Sequence, residues 1–154
     1  MKKTTLCLLL KEGEILLAMK KRGFGVGKWN GVGGKVEEGE SVKAAAAREL
    51  NEEIGVIAKE DNLEEVGNIK FYFKNKPEWD LHCYIYTATK WDGEPAESEE
   101  MAPQWYKRHE IPFDSMWIDD KHWLPLVLAG KKIEGEFHFN EDGSEFTDFN
   151  VREI

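Results

Sequence analysis

The sequence predicts an α+β domain, a mixed β-sheet with helices packed on it, rather than a doubly wound parallel sheet. Three observations point there. Strand-like and helix-like segments alternate irregularly, hairpin-like pairs stand at both ends, and two segments carry helical character. At 154 residues the chain has the length of a single domain, 1–154, able to build an ordinary core without staples.

Thr4 to Leu10 and Glu14 to Met19 read as two strands joined at Lys11-Glu12-Gly13. Lys20 to Asn30 is a basic loop in which Gly23, Gly25 and Gly27 interrupt regular structure. Ser41 to Ile54 reads as a helix. Ser41 is its N-cap, four consecutive alanines favour it, and Gly55 stops it. Glu65 to Phe73 and Leu81 to Thr89, rich in Phe, Tyr and Ile, read as paired strands. Trp91-Asp92-Gly93 is a turn and Gln104 to Lys107 a short strand. Asp119 to Leu128 reads as a second helix ending at Gly130, its acidic start and the following Lys131-Lys132 suiting the helix dipole. Ile133 to Phe139 and Glu145 to Arg152 are the last strands, around a turn at Asn140 to Ser144.

Hydrophobic residues at 41% and charged residues at 33% fit a soluble globular protein. No apolar run has the length of a membrane span, and Leu6 to Leu10 lacks the flanks of a signal peptide. Cys7 and Cys83 sit in apolar, strand-like surroundings without metal-ligand spacing, so packed thiols in a reducing cytoplasm are expected. With 30 acidic and 21 basic residues the net charge is −9, which argues against binding a nucleic-acid polymer. A small polyphosphate remains open to such a protein when divalent cations intervene. Surface acid that keeps the chain in solution explains the charge equally well.

The first helix holds the informative residues. Glu49, Glu52 and Glu53 stand at i, i+3 and i+4, so their carboxylates share one face. Ala47, Leu50 and Ile54 fall on another and are expected to bury against the sheet. Crowded carboxylates cost stability unless neutralised, and a hard cation such as magnesium does this with oxygen ligands. Arg48 can pair with Glu52 at i+4 or with Glu40 near the helix start. Any one of these glutamates alone would pass for an exposed helix residue. The spacing from Gly34 changes that reading: Gly, five residues, Glu40, seven residues, Arg48-Glu49-Leu50, one residue, Glu52-Glu53, one residue, Gly55-Val56.

That spacing matches the Nudix box at every defined position, and by it the chain resembles the Nudix hydrolases. The resemblance implies a mixed sheet sandwiched between helices, with the box forming loop–helix–loop. It also implies divalent metal, magnesium with manganese as a possible substitute, held by Glu49, Glu52 and Glu53 and backbone near Gly34. Hydrolysis of a phosphoanhydride needs phosphate charge neutralised and a water activated, which paired metals supply.

The segment Met19-Lys-Lys-Arg-Gly-Phe-Gly-Val-Gly-Lys-Trp-Asn-Gly-Val-Gly-Gly-Lys35 narrows the resemblance to the eukaryotic-type oxidised purine nucleoside triphosphatases. Glu97-Ser-Glu-Glu-Met101, Ile111-Pro-Phe113, Met116-Trp-Ile-Asp-Asp120 and Arg152-Glu-Ile extend it along nearly the whole chain. It implies hydrolysis of 8-oxo-dGTP, with 2-hydroxy-dATP as a further substrate, to monophosphate and pyrophosphate, sanitising the nucleotide pool. The enzyme is expected to be a cytoplasmic monomer.

Asn30, Trp117, Asp119 and Asp120 match the base-recognition residues. Trp117 can stack on a purine or pack in the core, and Asn30 can bond a purine edge or turn the loop before Gly31. Asp119 and Asp120 can open a helix or, if enclosed, share a proton and offer both donor and acceptor to a base. Thr5, Phe24, Phe71 and Phe73 match pocket positions, although core packing suits them nearly as well. Glu100 matches an additional metal ligand. Lys20 is a candidate phosphate contact, Arg22 and Lys35 lesser ones. Two departures lie near the base pocket. Pro77-Glu78-Trp79-Asp80 is one residue short, placing Trp79 where a smaller apolar residue is usual, and Ile118 replaces a proline. Another nucleotide, such as O6-methyl-dGTP or a dinucleoside polyphosphate, and a silent nucleotide-binding module are the alternatives.

Overall fold

The computed structural model describes residues Met1–Ile154. Its strands are β1 (Lys2–Lys11), β2 (Glu14–Lys20), β3 (Trp29–Asn30), β4 (Glu64–Phe73), β5 (Leu81–Ala88), β6 (Met101–Lys107), β7 (Ile133–Phe139) and β8 (Phe146–Glu153). The helices are α1 (Val42–Ile54) and α2 (Asp120–Leu128). Strand order is β3-β2-β1-β5-β4-β7-β8, with β6 on the free edge of β2. β1–β5 and β4–β7 are parallel and the remaining pairs antiparallel, so the sheet is mixed as expected.

Alternation along β1 builds two cores. Leu6 and Leu8 join Trp123, Leu124 and Val127 of α2, whereas Cys7 and Leu9 join Ala46, Leu50 and Ile54 of α1. The sheet is therefore sandwiched between the two helices. Leu50 and Ile54 are buried as expected, Ala47 is half-buried and packs against the same core, and Ala45 and Ala46 are buried as well.

β1 and β2 pair only at Leu10↔Ile15 and Lys11↔Glu14, then part. The strip from Val32 to Val36 takes the vacated edge of β1, with Cys7 and Val32 exchanging backbone bonds of 2.6 and 3.0 Å and Thr5 donating to the Gly34 carbonyl at 2.8 Å. This clamp carries Gly34 to the foot of α1.

Two boundaries differ from the sequence expectation for a backbone reason. β6 begins at Met101 rather than Gln104, running through Pro103 opposite Ala18. Proline lacks an N–H, but β6 has a strand on one side only, so no ladder bond need be lost. Trp29–Asn30, expected as loop, pairs with Met19 and Ala18. Cys7 and Cys83 are both free thiols. No helix is long and apolar enough to cross a membrane.

Candidate active site

Ser41 caps α1 as expected, its hydroxyl accepting from the Ala44 N–H at 3.1 Å, and Gly55 closes it in a left-handed conformation. With both ends fixed, the outward face of α1 presents Glu49, Glu52 and Glu53. Across from them stands the segment before β6. Arg22, Glu49, Glu52, Glu53, Ser98, Glu99 and Glu100 together line a cavity of about 320 Å³.

Arg48 organises the near wall. Its guanidinium donates to Glu40 at 2.7 and 3.0 Å, to Glu49 at 2.9 Å, to Glu52 at 3.0 Å and to the Lys35 carbonyl at 3.0 Å. The two pairings weighed from the sequence are thus both made. The bond from Arg48, helped by the Glu37 N–H, holds the Glu40 carboxyl below its ordinary range. Gly34 stands so close that a Cβ there would lie 2.5 Å from Glu49 Oε1.

Glu53 is the electrostatic centre. One carboxylate oxygen, Oε2, is buried without a hydrogen-bond partner. Burial, then the charges of Glu49 and Glu100, push this carboxyl up to about 8, with Lys20 opposing. An orphaned, proton-hungry oxygen among hard carboxylate donors fits a divalent cation. No three of the carboxylates converge as a closed cage.

The loop between β2 and β3 connects this cavity to a second cluster. Lys20, Lys21 and Arg22 leave beside Glu97–Glu100, the Lys21 N–H donating to the Glu100 carbonyl at 2.8 Å. The loop returns over Trp117. Phe24, itself 75% exposed, stacks on the indole with centroids 5.2 Å apart, and Lys28 Nζ lies 5.1 Å from the ring centroid. Gly25 makes the approach possible, since a Cβ there would sit 2.9 Å from the indole.

Beneath Trp117 both Asp119 and Asp120 are buried. The sequence allowed them to be a helix cap, and in one respect this is corrected: Asp119 occupies the N-cap position but its side chain makes no capping bond. Its Oδ2 accepts instead from Trp123 Nε1 at 2.9 Å, and Asp120 Oδ2 is buried without a partner. Burial raises both carboxyls. Asp120 rises far further because the Asp119 charge and a bond between the two carboxyls add to it. The pair therefore binds a proton more readily than ordinary aspartates do, Asp120 being the more strongly raised.

The other expected residues are distributed as follows. Thr5 is buried on the α1 side of β1, its hydroxyl 3.5 Å from the Gly34 carbonyl. Asn30 turns its amide oxygen onto the Gly31 N–H at 2.9 Å. Phe71 and Phe73 stack with Phe137 and Phe139 on the α2 side. Trp79, 41% exposed, meets Phe73 edge-on and carries Lys76 Nζ 4.0 Å above its ring. Trp123, Lys28 and Ser98 were missed. Of these only Trp123 left a trace, standing at i+4 from Asp119.

Comparison with known proteins agrees with this arrangement. A model of the NUDIX domain family matches residues 2–127. An oxidized purine nucleoside triphosphate hydrolase of Danio rerio is 52% identical over 135 residues, covering 88% of this chain and 85% of its own. The protein of the same description from Mus musculus is 48% identical over 150 residues, covering 97% and 94%. Among solved structures, a mutator MutT protein from Bacillus halodurans superposes with a TM-score of 0.84 at 28% identity, covering 98% of this chain and 97% of that one.

Proposed function

Because the chain belongs to the NUDIX family, we propose that it hydrolyses oxidised purine nucleoside triphosphates to the monophosphate and pyrophosphate, and so sanitises the nucleotide pool. The acidic cavity under Arg48 carries this reading, since it gathers Glu49, Glu52, Glu53 and Glu100 around an unpartnered carboxylate oxygen. Near-half identity to two animal hydrolases supports the substrate class.

Glu49, Glu52, Glu53 and Glu100, with backbone at Gly34, would hold the divalent cation that the family's chemistry requires; our reading is magnesium, with manganese as substitute. When bound, it supplies charge neutralisation on the phosphates and makes an attacking water more acidic. Arg48 and Glu40 fix the orientation of α1's carboxylates. Lys20, close enough to Glu53 to oppose its rise, faces the phosphate chain. Trp117 and Phe24 offer aromatic faces to the purine, and the Asp119–Asp120 pair offers one acceptor and one protonated donor to its edge. Addition of water across the α–β anhydride breaks that P–O bond and releases pyrophosphate. The reading is of a cytoplasmic monomer whose 154 residues form one domain; two free thiols suit a reducing compartment, and the core that takes residues from both β1 and β7 supports the single domain.

The test is turnover, with magnesium, of 8-oxo-dGTP, 2-hydroxy-dATP, O6-methyl-dGTP, dGTP and a dinucleoside polyphosphate, with chromatography of the products. The highest kcat/KM is expected for an oxidised purine, with monophosphate and pyrophosphate formed. Preference for a dinucleoside polyphosphate, or release of nucleoside diphosphate and free phosphate, overturns the reading.

A further inference from the structure

Of the seven residues lining the acidic cavity, Arg22 is the one cation, and it is held loosely. Its Nη2 lies 3.3 Å from Glu100 Oε1 and 3.7 Å from Glu99 Oε2, with the three side chains 61%, 53% and 88% exposed. Arg48 offers the contrast: 22% exposed, it is locked by several bonds of 3.0 Å or less. Exposed single contacts like those of Arg22 contribute little, so its head group can leave them at small cost. Its backbone is another matter. Lys21 bonds through its N–H to the Glu100 carbonyl and through Nζ to Glu97 and the Ser98 carbonyl, at 2.9 Å for the latter. A fixed base and a free guanidinium describe a side chain built to swing.

The direction of swing follows from exposure. Glu49, at 12%, and Glu53, with its buried oxygen, form the inner end of the cavity; Glu52, Glu99, Glu100 and Arg22 form its mouth. With the purine anchored at the buried aspartates and the α–β bond at the inner carboxylates, the phosphate furthest from the base emerges toward the mouth. A guanidinium matches phosphate oxygens in a two-bond fork and is stronger there than on one glutamate oxygen.

We propose that Arg22 is the terminal-phosphate clamp, with Glu100 as its resting partner, and that it selects triphosphates over diphosphates. This rests on the reading of the site as a nucleoside triphosphate hydrolase. In Arg22→Ala the ratio of kcat/KM for 8-oxo-dGTP over 8-oxo-dGDP falls about tenfold or more, mainly through the KM of the triphosphate. Arg22→Lys, which keeps the charge without the fork, stands between. The magnesium midpoint does not rise, since removing the one cation leaves the carboxylates more negative. By calorimetry with magnesium, Arg22→Ala loses a similar factor in affinity for inorganic tripolyphosphate, and Arg22→Lys loses less. Equal losses on both nucleotides overturn the proposal, as does an unaltered affinity for tripolyphosphate. A shifted magnesium midpoint with an unchanged ratio overturns it too, since that is what merely holding Glu100 would give. Should the wild type turn over no oxidised purine, the substrate reading fails, and the calorimetric comparison still decides the clamp.

Discussion

Trp123 Nε1 donates to Asp119 Oδ2 at 2.9 Å, one turn along α2, while the neighbouring Asp120 Oδ2 is buried with nothing to bond. One carboxyl of the pair accepts from an indole N–H, and the other keeps a buried oxygen without a partner and is raised further by its neighbour's charge. Burying two carboxyls costs free energy, and their asymmetry, one acceptor beside one proton-binding group, is the feature on which the proposed reading of a purine edge rests.

Replacing Asp120 by Asn keeps the size and a donor but removes the proton that moves. Loss of a matched bond in a desolvated site costs about 1–3 kcal/mol, so kcat/KM for 8-oxo-dGTP should fall roughly ten- to a hundredfold, with magnesium dependence intact. Burial raises the folded pKa of Asp120, so the pair's stability is full below the ordinary aspartate range and declines as pH rises. The variant should therefore melt higher than the wild type at neutral pH and equally near pH 4. A lower melting temperature with unchanged kinetics would restore the capping role that the geometry denies.

Gly34→Ala tests the foot of α1. The added Cβ would lie 2.5 Å from Glu49 Oε1, the far end of a flexible side chain, so the carboxylate moves and the backbone does not. The magnesium midpoint should rise several-fold and turnover fall on the order of tenfold, while stability changes by about 1 kcal/mol or less. Metal titration followed by activity and by calorimetry checks this; an unmoved midpoint would mean that Glu49 does not need its present position.

The sequence made local features legible because their causes are local. Ser41 and Gly55 cap a helix whose carboxylate spacing is fixed by 3.6 residues per turn, so α1 and its acidic face could be read in full. The clamp of residues 32–36 on β1 could not, because it joins backbone to backbone across 25 or more positions and leaves no side-chain pattern. Asp119 illustrates a third case. An acid before a helix ordinarily caps it, and although Trp123 stands within local reach at i+4, the choice of its indole N–H over the helix backbone shows only in the folded, buried segment. Arg22 was legible as a basic loop residue, but its pairing with Glu100 depends on how that loop folds back.

Glu53→Gln separates catalysis from electrostatic strain at one atom. If Glu53 is a cation ligand, the neutral amide should cut turnover by orders of magnitude at saturating magnesium, and the protein should stay folded. Stability without metal should move the other way. The folded carboxyl stands at about 8 against an ordinary 4.5, raised by burial and by Glu49 and Glu100. A raised pKa means that Glu53's contribution is complete below about 4.5 and disappears as pH climbs through about 8, when the charge is forced into the site. Glutamine never acquires that charge. In chelator the variant and the wild type should melt together near pH 5, and the variant should melt higher at about pH 9. Allowing for solvent screening within the open cavity, the gain is roughly 2 kcal/mol, or about 4–8 °C for a chain of this length. Magnesium should then raise the wild-type melting temperature more than the variant's, since only the wild type has a charge for it to neutralise. Differential scanning calorimetry at both pH values, with and without magnesium, gives all four numbers. Equal melting at about pH 9 would show that Glu53 is solvated rather than strained, and near-normal turnover would remove it from the metal site.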